Sequence, residues 1–190
     1  MKKYKFYIVF LLIIGAGLSA LMLISLGYYP IALVNNHFIS AKTFLKDYGA
    51  ASIYYDNVLK TYRSDASRDK VLQPSNLQRS VLTQLVENTL IEAEARRIVG
   101  PDFDRLVGEK VDQAGNDPRL EKAAQALYGL NLGDFKKEIL LPQAERDVLT
   151  GRLYLEDKKI DNWLQNAKKS GRVIIFSGQF YWNGDTVEAK

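Results

Sequence analysis

The chain carries one histidine, His37, and no cysteine. Disulfides, thiolate metal sites and cysteine nucleophiles are therefore excluded, and only carboxylates remain to complete a site around the imidazole. A histidine base needs an orienting partner within hydrogen-bond reach. His37 follows two asparagines in V-N-N-H-F-I-S (34–40), a setting that predicts an exposed turn residue rather than a base, a metal ligand or a pH sensor. Glu87, Glu92 and Glu94 offer a second candidate, since carboxylate pairs perform acid–base work. On a helix, however, 92 and 94 lie roughly 200° apart, and Arg96 and Arg97 follow closely. That spacing predicts a solvated ion-pair face. Asp112, Asp117 and Glu121 lack calcium-loop spacing, and Gly129, Gly133 and Gly151 do not form a phosphate loop. No cofactor or metal is expected.

Tyrosine is the residue type in excess, with 11 copies. Tyr48, Tyr54, Tyr55 and Tyr62 crowd one segment, and 48, 55 and 62 repeat every seven residues on one helical face. Such a stripe is either a seam against a partner helix or an adaptable, amphipathic contact surface. Tyr181 and Trp182 carry the same ambiguity.

The elements that must position these residues begin with an apolar run. Phe6 to Leu26 contains 21 residues without a charge, enough for about 30 Å of helix, the hydrocarbon thickness of a bilayer. Lys2, Lys3 and Lys5 precede it, Tyr28 and Tyr29 stand at its far end, and no basic residue follows until Lys42. Positive residues inside and interfacial aromatics predict a cytoplasmic N-terminus (1–5), a transmembrane anchor (6–28) and an extracytoplasmic remainder. A cleaved signal peptide fits less well, because its apolar region is shorter and Ser19-Ala20 falls inside the run. A type IV pilin leader is set aside for want of its cleavage site and following glutamate. Without the three leading lysines, 23 basic residues face 22 acidic ones, so the body is nearly neutral and has no nucleic-acid footprint.

Beyond the anchor, Ile31–Val34 and Phe38-Ile39 read as two short strands around an Asn35-Asn36 turn, with Ser40 as N-cap and Val34 and Ile39 facing the core. Apolar spacing predicts a helix over 41–63, and the polar stretch 63–73 predicts a loop. A second helix opens at Pro74-Ser75 and stops at Gly100-Pro101. A third covers about 102–114 and a fourth starts at Asp117-Pro118 and closes at Gly129. A fifth, long helix runs from Asp134 to Ala167 and kinks at Pro142, near Glu138 to Leu141. Val173–Phe176 is a strand, and Gln179–Trp182 with Asn183-Gly184 predicts a terminal hairpin. The fold class is mostly α: a transmembrane helix, then a multi-helix domain whose small terminal β element pairs its two ends.

This order of pieces resembles the SurA-type N-terminal chaperone domain. V-N-N-H-F-I-S resembles that family's "V-N-G-x-x-I-S" opening, with Asn36 in place of glycine. V-L-T-Q-L-V-E-N-T-L-I-E-A-E-A-R-R (81–97) resembles its second helix, A-L-Y-G-L-N-L-G-D-F-K-K-E-I-L (126–140) the corner before a long helix, and I-D-N-W-L-Q-N-A-K-K-S-G-R-V-I-I its closing helix and strand. The resemblance spans residues 31–176, leaving 177–190 as a terminal hairpin or tail. With the anchor, the layout is similar to the membrane-tethered SurA, PrsA and PpiD foldases.

What the resemblance implies is a holdase: a membrane-anchored, extracytoplasmic protein that binds unfolded or secreted polypeptides without catalysis. The chain passes from its fifth helix to the terminal strands with no room for a parvulin-type prolyl isomerase domain, so it is expected not to be an enzyme. Phe44, Tyr48, Tyr55, Tyr62, Tyr128 and Trp163 are the candidate peptide-binding residues, and the lipid bilayer is the second expected partner. Two other readings stay open: an assembly subunit docked on one folded membrane protein, and a foldase with residual isomerase activity.

Overall fold

The computed structural model describes residues 2–62 and 73–190, and the side chains of residues 7–60 and 73–190. The predicted loop at 63–73 lies almost wholly outside the described residues. Helix α1 (Lys2–Ser25) is apolar on all sides over its 19-residue span Tyr7–Ser25, which is exposed along its length. By length and composition it can cross a membrane. Gly27 ends it with φ +76, a left-handed conformation that glycine adopts without Cβ strain. The exit from α1 is tied to the body by backbone: Lys42 N–H donates to Gly27 O at 2.8 Å and Ala41 N–H to Tyr29 O at 2.9 Å. Lys42 Nζ also donates to Tyr28 Oη at 2.8 Å and lies 4.6 Å from the ring centroid.

The strands β1 (Pro30–Val34) and β2 (His37–Ser40) form the expected hairpin. Asn35 adopts φ +53 at the turn, which asparagine tolerates better than most residues. Strand β3 (Val173–Ile175) pairs antiparallel with the other edge of β1, giving the order β2-β1-β3. The two ends of the body are thus joined, and Asn35 locks the junction: its N–H donates to Arg172 O at 2.7 Å, and its Oδ1 accepts from Arg172 N at 3.0 Å. Period-2 alternation buries Ala32 and Val34, and Ile39 is buried opposite Ala32, whereas His37, paired with Val34 at the turn end of the hairpin, is exposed. Ser40 Oγ accepts from Thr43 N at 3.1 Å and caps helix α2 (Ala41–Tyr62).

Helix α3 (Pro74–Val99) is the central element, with Pro74 in its first turn and Gly100 at φ +68 past its end. Its N-terminal half (Leu77, Val81, Leu85, Val86) packs on the three-stranded sheet and α2. Its C-terminal half (Ile91, Ala95) packs on α4 (Phe103–Gly115), α7 (Leu141–Tyr154) and α8 (Ile160–Ser170), around the fully buried Phe103, Leu149 and Leu153. Truncating Phe103 there would cost about 3–5 kcal/mol. A third core joins Ala50 of α2 to Ala124 of α5 (Leu120–Tyr128), Leu130 and Phe135 of the short helix α6 (Leu132–Phe135). The terminal hairpin of β4 (Phe180–Trp182) and β5 (Val187–Ala189) lies on α3 through Phe180, Val187 and Leu82. Val187 N–H donates to Thr83 Oγ1 at 3.0 Å, and Arg79 meets Glu188 at 2.5 Å.

The predicted fifth helix is not continuous. Around the expected kink, Lys136–Leu140 forms one widened π turn that leads into α7, where Pro142 sits in the first turn and needs no hydrogen-bond partner for its nitrogen. A second interruption was not legible in the sequence. Helix α7 stops at Tyr154, and Asp157 takes φ +54. Lys158 N–H donates to Leu153 O at 2.9 Å and Asp157 N–H to Tyr154 O at 3.1 Å, the two bonds of a Schellman stop. Glycine normally fills the left-handed position, and aspartate disguises it here. The reversal has a packing reason: a straight helix would carry Leu164 roughly 15 Å beyond Tyr154, away from the core it completes.

Candidate functional site

On α2, residues Asp47, Ala50, Ala51 and Tyr54 stand at 3–4 spacing, so one face combines a carboxylate, two small side chains and a ring. This face meets α3, α5 and the π turn around a cleft of about 180 Å³, lined also by Tyr55, Val81, Gln84, Asn88, Tyr128, Glu138 and Ile139. The alanines leave the space, and the tyrosines wall it. Tyr54 stacks on Tyr128 at 5.0 Å between centroids with the rings 9° from parallel, and meets Tyr55 edge-on at 5.7 Å. Tyr128 continues to Phe135 at 5.4 Å, so the wall is anchored in the third core. Gly129 makes the corner behind Tyr128 possible: with φ +68 it ends α5, and a Cβ there would stand 2.5 Å from Ile53 Cδ1.

Two carboxylates form the polar end of the cleft. Burial pushes the Asp47 carboxyl up to about 7, helped by the charge of Glu138 and by a hydrogen bond shared with it; Lys46 and Lys137 pull in the other direction. Asp47 Oδ1 is buried and receives no hydrogen bond. Lys46 is committed elsewhere: it pairs with Asp134 and lies 3.3 Å from Glu138 Oε1. None of the residues that line the cleft is a lysine or arginine.

The six peptide-binding candidates are not all brought together. Tyr55 and Tyr128 line the cleft. Phe44 and Tyr48 stack on each other at 6.0 Å and pack against the core under the sheet. Trp163, on α8, packs between two cores and edges shallow surface hollows with Asn166. Tyr62 ends α2, and its side chain lies outside the described residues. The seven-residue stripe is therefore split between core and cleft. Tyr54 stood in the tyrosine cluster but not among the six candidates, and sequence reasoning missed Asp47 and Glu138. The 47–50–51–54 spacing was a visible signal for Asp47 and Tyr54, whereas Glu138 depends on the π turn, which sequence periodicity does not reveal.

Glu87 departs from the expected solvated ion-pair face. Glu92 and Glu94 do form the expected ion pairs, with Arg96 at 3.4 Å and Arg97 at 2.7 Å. Glu87, by contrast, is largely buried and bridges three elements: Lys168 Nζ of α8 at 3.1 Å and Arg146 of α7 at 3.6 Å. Lys168 itself is buried and also meets Asp185, in the terminal hairpin, at 2.6 Å. This network clamps the fold and lies away from the cleft. Among the described residues, no three His, Asp or Glu side chains are grouped to hold a metal ion.

No family model matches the chain, and no solved structure does. A curated relative is the Chaperone SurA of Thiobacillus denitrificans (strain ATCC 25259 / T1), 28% identical over 152 residues, which cover 74% of this chain and 32% of that protein. The chain thus spans about a third of the length of the relative it matches. The chain is thus similar to part of a protein named as a SurA chaperone, and among the described residues one apolar helix leads into a mostly helical body.

Proposed function

We propose that this chain is a membrane-tethered, non-catalytic relative of the SurA-type chaperones that holds unfolded or secreted polypeptides in the cleft between α2, α3, α5 and the π turn. The observation that carries the reading is that the cleft is open and walled by tyrosines, on a chain similar to a SurA chaperone. Tyrosine suits this task because its ring offers large contact area with few torsions to freeze, and its hydroxyl accommodates varied neighbours. Helix α1 serves as the anchor, with Lys2, Lys3 and Lys5 keeping the N-terminus cytoplasmic and the body extracytoplasmic. The backbone bonds from Gly27 and Tyr29 to the start of α2 hold the body close to the membrane surface. Residues 31–176 form the chaperone unit, and 177–190 brace α3.

The test is suppression of client aggregation by the full-length chain in lipid nanodiscs, followed by light scattering. Stoichiometric excess should slow aggregation of a chemically unfolded client, and Tyr128→Ala should weaken that effect several-fold. No protection of any unfolded client would defeat the reading. One stoichiometric folded partner, captured without affinity for unfolded chains, would favour an assembly subunit instead.

A further inference from the structure

We propose that the cleft selects a cationic side chain, lysine or arginine, from the polypeptide it holds; this rests on the polypeptide-binding reading above. The size of the cleft limits the occupant first. At about 180 Å³ it is smaller than the roughly 300–1,000 Å³ of sites that enclose whole small molecules. It fits one side chain projecting from a chain that runs along the surface.

The charge of the cleft then selects among side chains. Its two ionisable carboxyls, Asp47 and Glu138, face no lysine or arginine across the space. Lys46, the nearest cation on the same helix, is drawn to Asp134 and reaches only Glu138. Asp47 Oδ1 is left buried without a donor, a state that costs free energy until a donor arrives. An ammonium or guanidinium supplies that donor. Its aliphatic stem lies along Ala50, Ala51 and Ile139, and the tyrosine wall adds cation–π attraction. A neutral apolar side chain fills the same space but leaves Asp47 Oδ1 without a donor.

The choice of a cation also sets the pH response. The groups that act on Asp47 are Lys46 from its own helix and Glu138 and Lys137 from the π turn; Tyr54, Tyr55 and Tyr128 complete the ionisable lining, and α3 contributes the neutral Gln84 and Asn88. A bound cation favours ionised Asp47, so its binding releases a proton and strengthens as pH rises through about 7.

The experiment measures fluorescence anisotropy of two labelled peptides on the full-length chain in nanodiscs. The peptides have identical apolar flanks and differ only in a central lysine or norleucine. The lysine peptide should bind about tenfold tighter at pH 8, and this preference should shrink at pH 6. Asp47→Asn should remove most of the preference. Because the comparison lies in the peptides, it does not depend on any variant folding. Equal binding of both peptides, tighter binding of the norleucine peptide, or a preference unchanged by pH and by Asp47→Asn would each overturn the cation site while leaving polypeptide binding in place. Binding of neither peptide would overturn the polypeptide-binding reading as well.

Discussion

Replacing Glu145 by glutamine should make the body more stable at neutral and alkaline pH. Glu145 is buried on α7, between Ala144 and Val148 of the largest core. Burial pushes its carboxyl from 4.5 up to about 7; the charges of Glu92 and Asp104 add to the shift and Arg96 opposes it. The folded protein therefore holds this proton more tightly than the unfolded chain does. Stability is full below pH about 4.5, falls as pH rises from there through about 7, and stays at its lower level above. A shift from 4.5 to about 7 corresponds to a loss of about 3 kcal/mol, at about 1.4 kcal/mol per pH unit. Glutamine keeps the shape and cannot ionise, so the variant is spared this loss. The assay is urea unfolding of the full-length chain in mild detergent, read by Trp163 and Trp182 fluorescence at pH 4.5, 6 and 8. The variant should gain on the wild type by about 2–3 kcal/mol between pH 4.5 and pH 8. Asp47 contributes pH dependence of the same sign in both proteins and cancels from this difference. A difference that stays flat over the range would refute burial of an ionisable Glu145 as the source.

Lys168→Met should destabilise the fold by about 3 kcal/mol in the same urea assay, because Glu87 loses its nearest cation while still largely buried. Adding Glu87→Leu should recover part of that loss; a double variant no better than the single would argue against the unpaired charge as the cause. Asp157→Gly should raise stability by up to about 1 kcal/mol, since glycine holds the left-handed position of the Schellman stop without strain. A loss of stability on that change would count against the helix stop. Gly129→Ala should cost about 1–3 kcal/mol, from the positive φ and the collision with Ile53. Combining it with Ile53→Ala should relieve only the steric part, leaving a measurable backbone penalty in thermal unfolding.

Local chemistry made much of the architecture readable in advance. The uncharged run from Phe6 to Leu26 needs no neighbour to be helical, and Asn35, Ser40, Pro74 and Gly129 each mark a turn or helix end through their own backbone preferences. Pairing of the two ends through β1 and β3 followed from there being β-prone residues at both. Signals failed where a residue acted against its type, as Asp157 does in a glycine position. They failed again where Glu87 reached from α3 to Lys168 instead of pairing along its own helix. The tyrosine stripe showed that aromatic surface existed but not which rings would be buried. Sequence by itself determined the apolar helix and the mostly helical body, because each depends on residues close together in the chain, and it marked the β-prone segments at the two ends, whose pairing across the chain is a tertiary contact. Tertiary structure alone decided the cleft: Asp47 and Glu138 lie 91 positions apart in sequence, and their joint desolvation beside Tyr54 and Tyr128 arises only when α2, α5 and the π turn pack together.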